Sequence, residues 1–305
     1  MASIKVFGHK SPDTDTTGSA VLWAWYLTNH TTTPATPFVL GDLNKETQFV
    51  LTRWGVPTPA LLELAADDDV VVVDTNNPAE LPDNINNANL LAVIDHHKLV
   101  GGLTSKNPPT ITMRPLACTA TLIYDMMGTV AEQMPKEMMG VMLSCILSDT
   151  LEFRSPTTTP HDKAVAEALA QKLGVAIPQY AAELFAAKSD VSDYSDQGLI
   201  HIDSKVFPVG GKNLRVSVVE TASARAVLGR KEGIMQALKA EAPKGQDGIL
   251  FFVVDILKEE ATVFVYDEFV KTIVEKSFGT NVPGDTVVLP GIVSRKKQII
   301  PALQV

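Results

Sequence analysis

Asp67-Asp68-Asp69-Val70-Val71-Val72-Val73-Asp74 and Leu90-Leu91-Ala92-Val93-Ile94-Asp95-His96-His97 decide the fold of this chain. Each is a short apolar run that ends in an aspartate, without the polar/apolar alternation of a strand that has one wet face. Such runs suit parallel strands covered on both sides. Ile4-Lys5-Val6-Phe7 and residues 38–40 supply two more strand candidates. Helical patterns fall between and after them, at 19–27 (beginning after Gly18), 45–54, 119–127, 136–147, 161–173 and 178–187. The 136–147 stretch is apolar nearly all round, as a buried helix is. Strands alternating with helices predict an α/β fold: a doubly wound, mainly parallel sheet with helices on both faces.

The pattern changes after the Ser/Asp-rich segment 189–195, which is expected to be a hinge linker between a domain at 1–188 and a second at 196–305. Gly210-Gly211, flanked by strand patterns at 205–209 and 214–219, signals a hairpin. A helix over 222–241, a second hairpin around Lys258-Glu259-Glu260 (strands 249–257 and 262–266), a helix at 268–278 and a strand near 287–293 complete a smaller mixed-sheet α/β domain.

Composition narrows the function. The 305 residues are 45% hydrophobic and 20% charged, enough for a full core, and the formal charge is -9. An acidic chain lacks the broad positive field of a non-specific nucleic-acid binder, so no nucleic-acid partner is expected. Two cysteines, Cys118 and Cys145, make no disulfide framework and point to a reducing compartment. No basic-then-apolar leader opens the sequence, and the longest apolar run, near 138–147, is interrupted by Gly140 and Ser144. A cytoplasmic protein without a membrane partner is therefore expected.

Four motifs carry chemistry, and three of them end strand candidates. Gly8-His9-Lys10-Ser11-Pro12-Asp13-Thr14-Asp15 follows the first, and in an extended loop Asp13 and Asp15 would point the same way. Asp74 ends the four-valine run, and Asp95-His96-His97 ends the next. Ser148-Asp149-Thr150 closes the apolar helix. Taken singly, each has a plain reading: an Asx-turn loop, a turn aspartate, a surface histidine pair, a solvated helix end. Together they bring Asp and His to one edge of a parallel sheet, where open α/β sheets bind ligands. Imidazole nitrogen with carboxylate oxygen suits Mn, Fe, Co or Zn better than Ca or Mg. Ser294-Arg295-Lys296-Lys297-Gln298 places a +3 cluster in the other domain, which suits an anion.

The set GHKSPDTD, VVVVD, VIDHH and LSDT resembles the DHH phosphoesterase superfamily. Within it, Ala117-Cys118-Thr119-Ala120-Thr121, the Ser294–298 segment and the length match the family II, manganese-dependent, inorganic pyrophosphatases. That resemblance implies hydrolysis of pyrophosphate at two Mn2+ ions, with Co2+ or another divalent ion as a substitute and an additional Mg2+ arriving with the substrate. It implies that His9, Asp13 and Asp74 hold one metal, and that Asp15, Asp74, His96 and Asp149 hold the other, Asp74 bridging. His97, Lys205, Arg295 and Lys296 would meet the substrate in an interdomain cleft. It also implies a homodimer formed through the N-terminal domain. One departure is visible: many members carry His after the bridging Asp, where this chain has Thr75. Two rival readings stay open here. One is another hydrolase of the superfamily, an exopolyphosphatase or an oligonucleotide phosphodiesterase; the other, more remote, is a non-catalytic metal-binding protein.

Overall fold

The computed structural model describes residues 3–242 and 244–305, and the side chains of all of these but Lys296 and Lys297. The chain divides into two compact units, Met1–Ala187 and Lys188–Val305. In the first, β1 (Ile4–Phe7), α1 (Thr14–His30), β2 (Ala35–Val39), α2 (Lys45–Trp54), β3 (Ala60–Leu61), β4 (Asp69–Val73), β5 (Asn89–Asp95) and β6 (Thr110–Met113) follow one another. Then come α3 (Thr119–Met127), α4 (Lys136–Asp149), α5 (Pro160–Leu173) and α6 (Ile177–Lys188), the last reaching the boundary.

The six strands are all parallel, in the order β3-β2-β1-β4-β5-β6. Chain order therefore reverses between β1 and β4, and loops leaving these two strands diverge to opposite sides of the sheet. That opens a crevice beyond their carboxyl ends. The valines of β4 are nearly inaccessible, at 0–3% exposure, each contributing roughly 1.5 kcal/mol or more by leaving water. Phe7, Val70, Val72, Leu90 and Val93 form one core cluster with Leu81 and Ile85, which lie between β4 and β5. Two edge strands of the sheet, β3 and β6, lie outside the sequence expectation because β3 is only two residues long and β6 is short and half-polar.

α1 begins at Thr14, five residues before the expected start, because Asp13 caps it: its carboxylate accepts from Thr16 N at 2.9 Å. The expected extended loop is thus corrected, with Asp13 outside the helix and Asp15 buried in its first turn. Gly18 sits within the helix, and a Cβ there would lie 2.2 Å from Cys145 Sγ and 3.0 Å from Val141 Cγ1 of α4. The glycine sets how closely α1 and α4 pack. Gly18→Ala is expected to cost about 1–3 kcal/mol by overpacking, although Ala is ~1 kcal/mol the better helix former. A urea-denaturation midpoint equal to the wild type's would refute this reading of the contact.

In the second unit α7 (Asp196–Leu199), β7 (Ser204–Val209), β8 (Lys212–Thr221), α8 (Arg225–Leu228), α9 (Lys231–Glu241), β9 (Gly248–Asp255), β10 (Glu260–Phe264), α10 (Glu268–Phe278) and β11 (Thr286–Pro290) are followed by a π-helical turn, Arg295–Ile299, and α11 (Ile300–Ala302). The five-stranded sheet has the order β11-β10-β9-β8-β7, with β8 and β9 parallel and the other pairs antiparallel. Every residue of β9 is buried, and Phe251, Phe252 and Phe264 fill the core. Both expected hairpins are present. The single helix expected over 222–241 is instead two, broken at Gly229-Arg230, and the last strand ends at Pro290, short of 293.

The segment 189–195 is hydrogen-bonded into the second unit. Ser189 Oγ accepts from the amides of Ala222 and Ser223, both at 3.1 Å. Arg230 donates to the Val191 carbonyl at 3.1 Å and to Asp196 at 2.8 Å. No helix among the described residues is long and apolar enough to cross a membrane.

Candidate metal centre

His9, Asp74 and His96 follow or end the three central strands, while Asp13, Asp15 and Asp149 come from the start of α1 and the end of α4. Asp74 is the pivot. It leaves β4 with φ 59, in the left-handed region, while its amide still bonds to the Ile94 carbonyl at 2.9 Å. This turn out of the ladder costs on the order of 1 kcal/mol for a residue with a Cβ. It places the buried carboxylate between two imidazoles. His9 Nε2 lies 3.5 Å from Asp74 Oδ2 and 3.6 Å from Asp13 Oδ2; His96 Nε2 lies 3.4 Å from Asp74 Oδ1.

Three sets of ligand atoms converge in this way: His9–Asp13–Asp74, Asp15–His96–Asp149 and Asp74–His96–His97, the atoms of each within 4.8 Å of one another. The fold thus gathers His9, Asp13, Asp15, Asp74, His96 and Asp149 into one cluster from four separate parts of the sequence.

The surroundings hold the donors in place. Asp74 accepts from Thr16 Oγ1 at 2.5 Å and from Thr119 Oγ1 at 2.9 Å. Asp15 accepts from the amides of Thr119 and Ala120, at 2.6 and 3.1 Å, so it occupies the N-terminal end of α3. His96 Nδ1 faces the Leu116 carbonyl at 3.0 Å, so Nδ1 donates there and Nε2 is the nitrogen turned to the cluster. Buried Asp95 accepts from both the amide and Nδ1 of His97, at 3.0 and 2.9 Å, and from Asn76 Nδ2 at 2.5 Å. His97 is exposed, and with Nδ1 engaged its Nε2 is the nitrogen left for a ligand.

Electrostatics tests whether metal ions suit these residues. Burial opposes charge on His9 and His96, yet the hydrogen-bonded carboxylates Asp13 and Asp74 carry His9 up to about 10. Asp74 and Asp15 carry His96 up to about 9. Burial would raise Asp74 as well, but His9, His96 and Thr16 hold it below the usual carboxylate range. Two carboxylates are left short of positive charge. Burial and the neighbouring Asp74 push Asp15 up to about 6. Burial, Asp15 and Asp74 push Asp149 well above the usual range. Four aspartates around two imidazoles need more cation than the imidazoles provide, and divalent ions would supply it. Borderline nitrogen and hard oxygen donors fit Mn2+ and its neighbours.

A cavity of about 510 Å3 within the first unit reaches the cluster at His9 and His97, lined also by Lys10, Ser11, Asn76 and Lys98 among others. Thr75, at the departure noted above, donates to Glu80 Oε2 at 2.7 Å and accepts from the Asn77 amide at 3.1 Å, fixing the loop that borders the cavity. In the second unit Lys205 is exposed on β7. Arg295 Nη2 bonds Asp203 Oδ1 at 2.7 Å, and Nη1 bonds the Asp203 carbonyl. The Lys296 side chain lies outside the described residues.

Residues 3–146 match the DHH family N-terminal domain, and residues 182–305 match the DHHA2 domain. A protein of Methanocaldococcus jannaschii named manganese-dependent inorganic pyrophosphatase is 36% identical over 309 residues, covering 98% of this chain and 97% of the relative. The chain belongs to the family II inorganic pyrophosphatases. A crystal structure of a Methanococcus jannaschii protein assigned to family II shares its fold at a TM-score of 0.63 and 35% identity, covering 98% of both chains. An exopolyphosphatase-related protein of Bacteroides fragilis superposes at a TM-score of 0.50 with 13% identity over 97% of this chain and 89% of that one, a likeness of fold alone.

Thr16, Asn76, Asp95, Thr119 and Glu46 touch the donors or the residues beside them, and sequence reasoning gave them no role, although Asp95 stands within a motif. Thr119 had a signal, since it stands in the Ala117–121 stretch that carries the family likeness. Glu46 and Asn76 stand in no motif of their own.

Proposed function

We propose that this family II pyrophosphatase hydrolyses inorganic pyrophosphate to two phosphates, using two Mn2+ ions held by the His/Asp cluster. The observation that carries the reading is the sharing of Asp74 between two ligand groups, in a chain about a third identical, end to end, to a named manganese-dependent pyrophosphatase. His9, Asp13 and Asp74 would hold one ion; Asp15, Asp74, His96 and Asp149 would hold the other. Such a pair supplies Lewis acidity and a nucleophilic water at neutral pH. Asp95 accepts from His97 Nδ1 and favours the imidazolium form, whose Nε2–H would donate to a phosphate oxygen. Lys205, Arg295 and Lys296 of the 196–305 domain are assigned to the remaining phosphoryl oxygens, Arg295 through its planar fork. Segment 189–195 joins that domain to the catalytic one at 1–188, and closure of the intervening cleft on substrate is part of the proposal. Mg2+ enters with the pyrophosphate.

Arg295→Ala is expected to raise KM for Mg-pyrophosphate about 10–100-fold, the effect of losing a bidentate charged contact of roughly 1.5–3 kcal/mol, while bound Mn2+ is unchanged. Steady-state kinetics with metal analysis checks this, and unaltered KM and kcat would remove Arg295 from the site. A cytoplasmic homodimer is also proposed. Edge strand β6 leaves its backbone free on one side and exposes Ile111 at 58%, so pairing of two such edges would cover both.

The deciding experiment is phosphate release by chelator-stripped protein reloaded with Mn2+, Co2+, Zn2+ or Mg2+. Release from pyrophosphate that depends on the added metal supports the proposal. Turnover of polyphosphate or a short oligonucleotide in its place would move the protein to a sister branch of the superfamily.

A further inference from the structure

Glu46 is a buried carboxylate with no task in the reaction as described. It lies in the first turn of α2, 1% exposed. Its Oε2 accepts from Ser148 Oγ at 2.9 Å and from Thr14 Oγ1 at 3.2 Å, and Thr14 Oγ1 lies a further 3.2 Å from Thr47 Oγ1. Two helix ends therefore meet on one oxygen. Ser148 directly precedes Asp149 at the close of α4, and Thr14 stands between Asp13 and Asp15 at the opening of α1.

An ionised carboxylate in the interior costs stability unless charge or hydrogen bonds offset the lost solvation. Here the first turns of α1 and α2 offer the positive ends of two helix dipoles, and hydroxyls donate directly. An apolar residue would hold three helices together without any desolvation cost. What a carboxylate adds is a fixed acceptor that orients both hydroxyls beside a cluster suited to cations.

We propose that Glu46 is a positioning residue of the metal centre, setting the approach of Asp149 to Asp13 and Asp15 through Ser148 and Thr14. This rests on the reading of the cluster as a divalent-metal site. Outer carboxylates of this kind orient the groups that touch a metal, and their loss weakens binding about 10–100-fold.

The test is a Mn2+ titration of the chelator-stripped full chain, with free Mn2+ followed by its EPR signal. Glu46→Gln keeps the shape and one acceptor oxygen but removes the charge. It is expected to bind Mn2+ about 10–100-fold more weakly than wild type. Lost turnover should return as Mn2+ is raised, with KM for Mg-pyrophosphate unchanged. A purely structural role would lower the melting temperature and leave Mn2+ affinity alone, so wild-type affinity in Glu46→Gln overturns the inference. If circular dichroism shows that Glu46→Gln does not fold, Ser148→Ala, which deletes only a hydroxyl, decides. Its Mn2+ affinity should fall several-fold, and an unchanged value overturns the inference equally. A wild-type chain that takes up no Mn2+ would instead sink the metal reading itself, a result distinct from any difference between variant and wild type.

Discussion

Replacing Asp74 with Asn is expected to reduce kcat on the order of 10³-fold or more while leaving the fold intact. The backbone supports the second half of that statement. Asp74 sits at φ 59, and Asn is among the few residues that accept the left-handed region readily. The hydroxyls of Thr16 and Thr119, which now donate to its two oxygens, can rotate so that one donates to the amide oxygen and the other accepts from its NH2. The chemistry has no such remedy. The carboxamide of Asp74→Asn offers one weak oxygen donor where the native carboxylate faces both His9 and His96, so the two ligand groups lose the charge they share. The check is kcat under saturating Mn2+, with Mn2+ stoichiometry and melting temperature measured on the same preparation. A folded Asp74→Asn protein with two Mn2+ bound and more than a tenth of wild-type turnover would refute the bridging role proposed for Asp74.

How far the sequence foretold this centre depends on the range over which each feature is determined. The strands β4 and β5 are written locally, as apolar runs that end in Asp74 and in Asp95-His96-His97, and buried strands need little more. The candidate donors are likewise legible, because each stands just after a strand or at a helix terminus, and the parallel topology collects the strand ends on one sheet edge. Glycines mislead in contrasting ways. Gly18 reads as a helix start but lies inside α1, where its missing Cβ admits α4; Gly229 reads as helical yet marks the break before α9. One residue type ends a helix in one place and cements it in the other, and only the neighbour across the interface distinguishes them. The residues that orient the donors are the least legible. Asp15 and Thr119 are 104 positions apart, and Glu46 and Ser148 are 102 apart. No spacing rule reaches that far, and a lone Thr or Glu in a helix has no pattern of its own. Asp95 is the exception in kind: it stands in the motif, but its service to His97 is visible only once Asn76 and the His97 ring are seen on its two oxygens.

Metal uptake is expected to release at least two protons per chain near pH 7.5, one each from His9 and His96, and Mn2+ affinity should climb steeply with pH. The sign follows from the two imidazoles. Without metal, Asp13 and Asp74 hold His9 at about 10, and Asp74 and Asp15 hold His96 at about 9, so both are charged at neutral pH. A ring nitrogen that binds an ion must first give up its proton, and between pH 6.5 and about 9 each such exchange adds up to tenfold in affinity per pH unit. Above about 10 both rings are neutral and the dependence should flatten. The metal-free fold responds to pH in the opposite sense. A histidine raised from 6.5 contributes stability that is fully present below 6.5 and disappears as pH rises through 9 to 10. Asp15, raised from 3.8 to about 6, binds its proton more tightly folded than unfolded, so it also withdraws stability as pH rises through that interval. Bound Mn2+ replaces the lost protons as the source of positive charge. The melting-temperature gap between Mn2+-loaded and chelated protein should therefore widen steadily from pH 6.5 to 9. Calorimetric titration in two buffers of different ionisation enthalpy counts the protons directly. Zero release, with Mn2+ affinity flat across that range, would mean that His9 and His96 are not the groups the metal displaces.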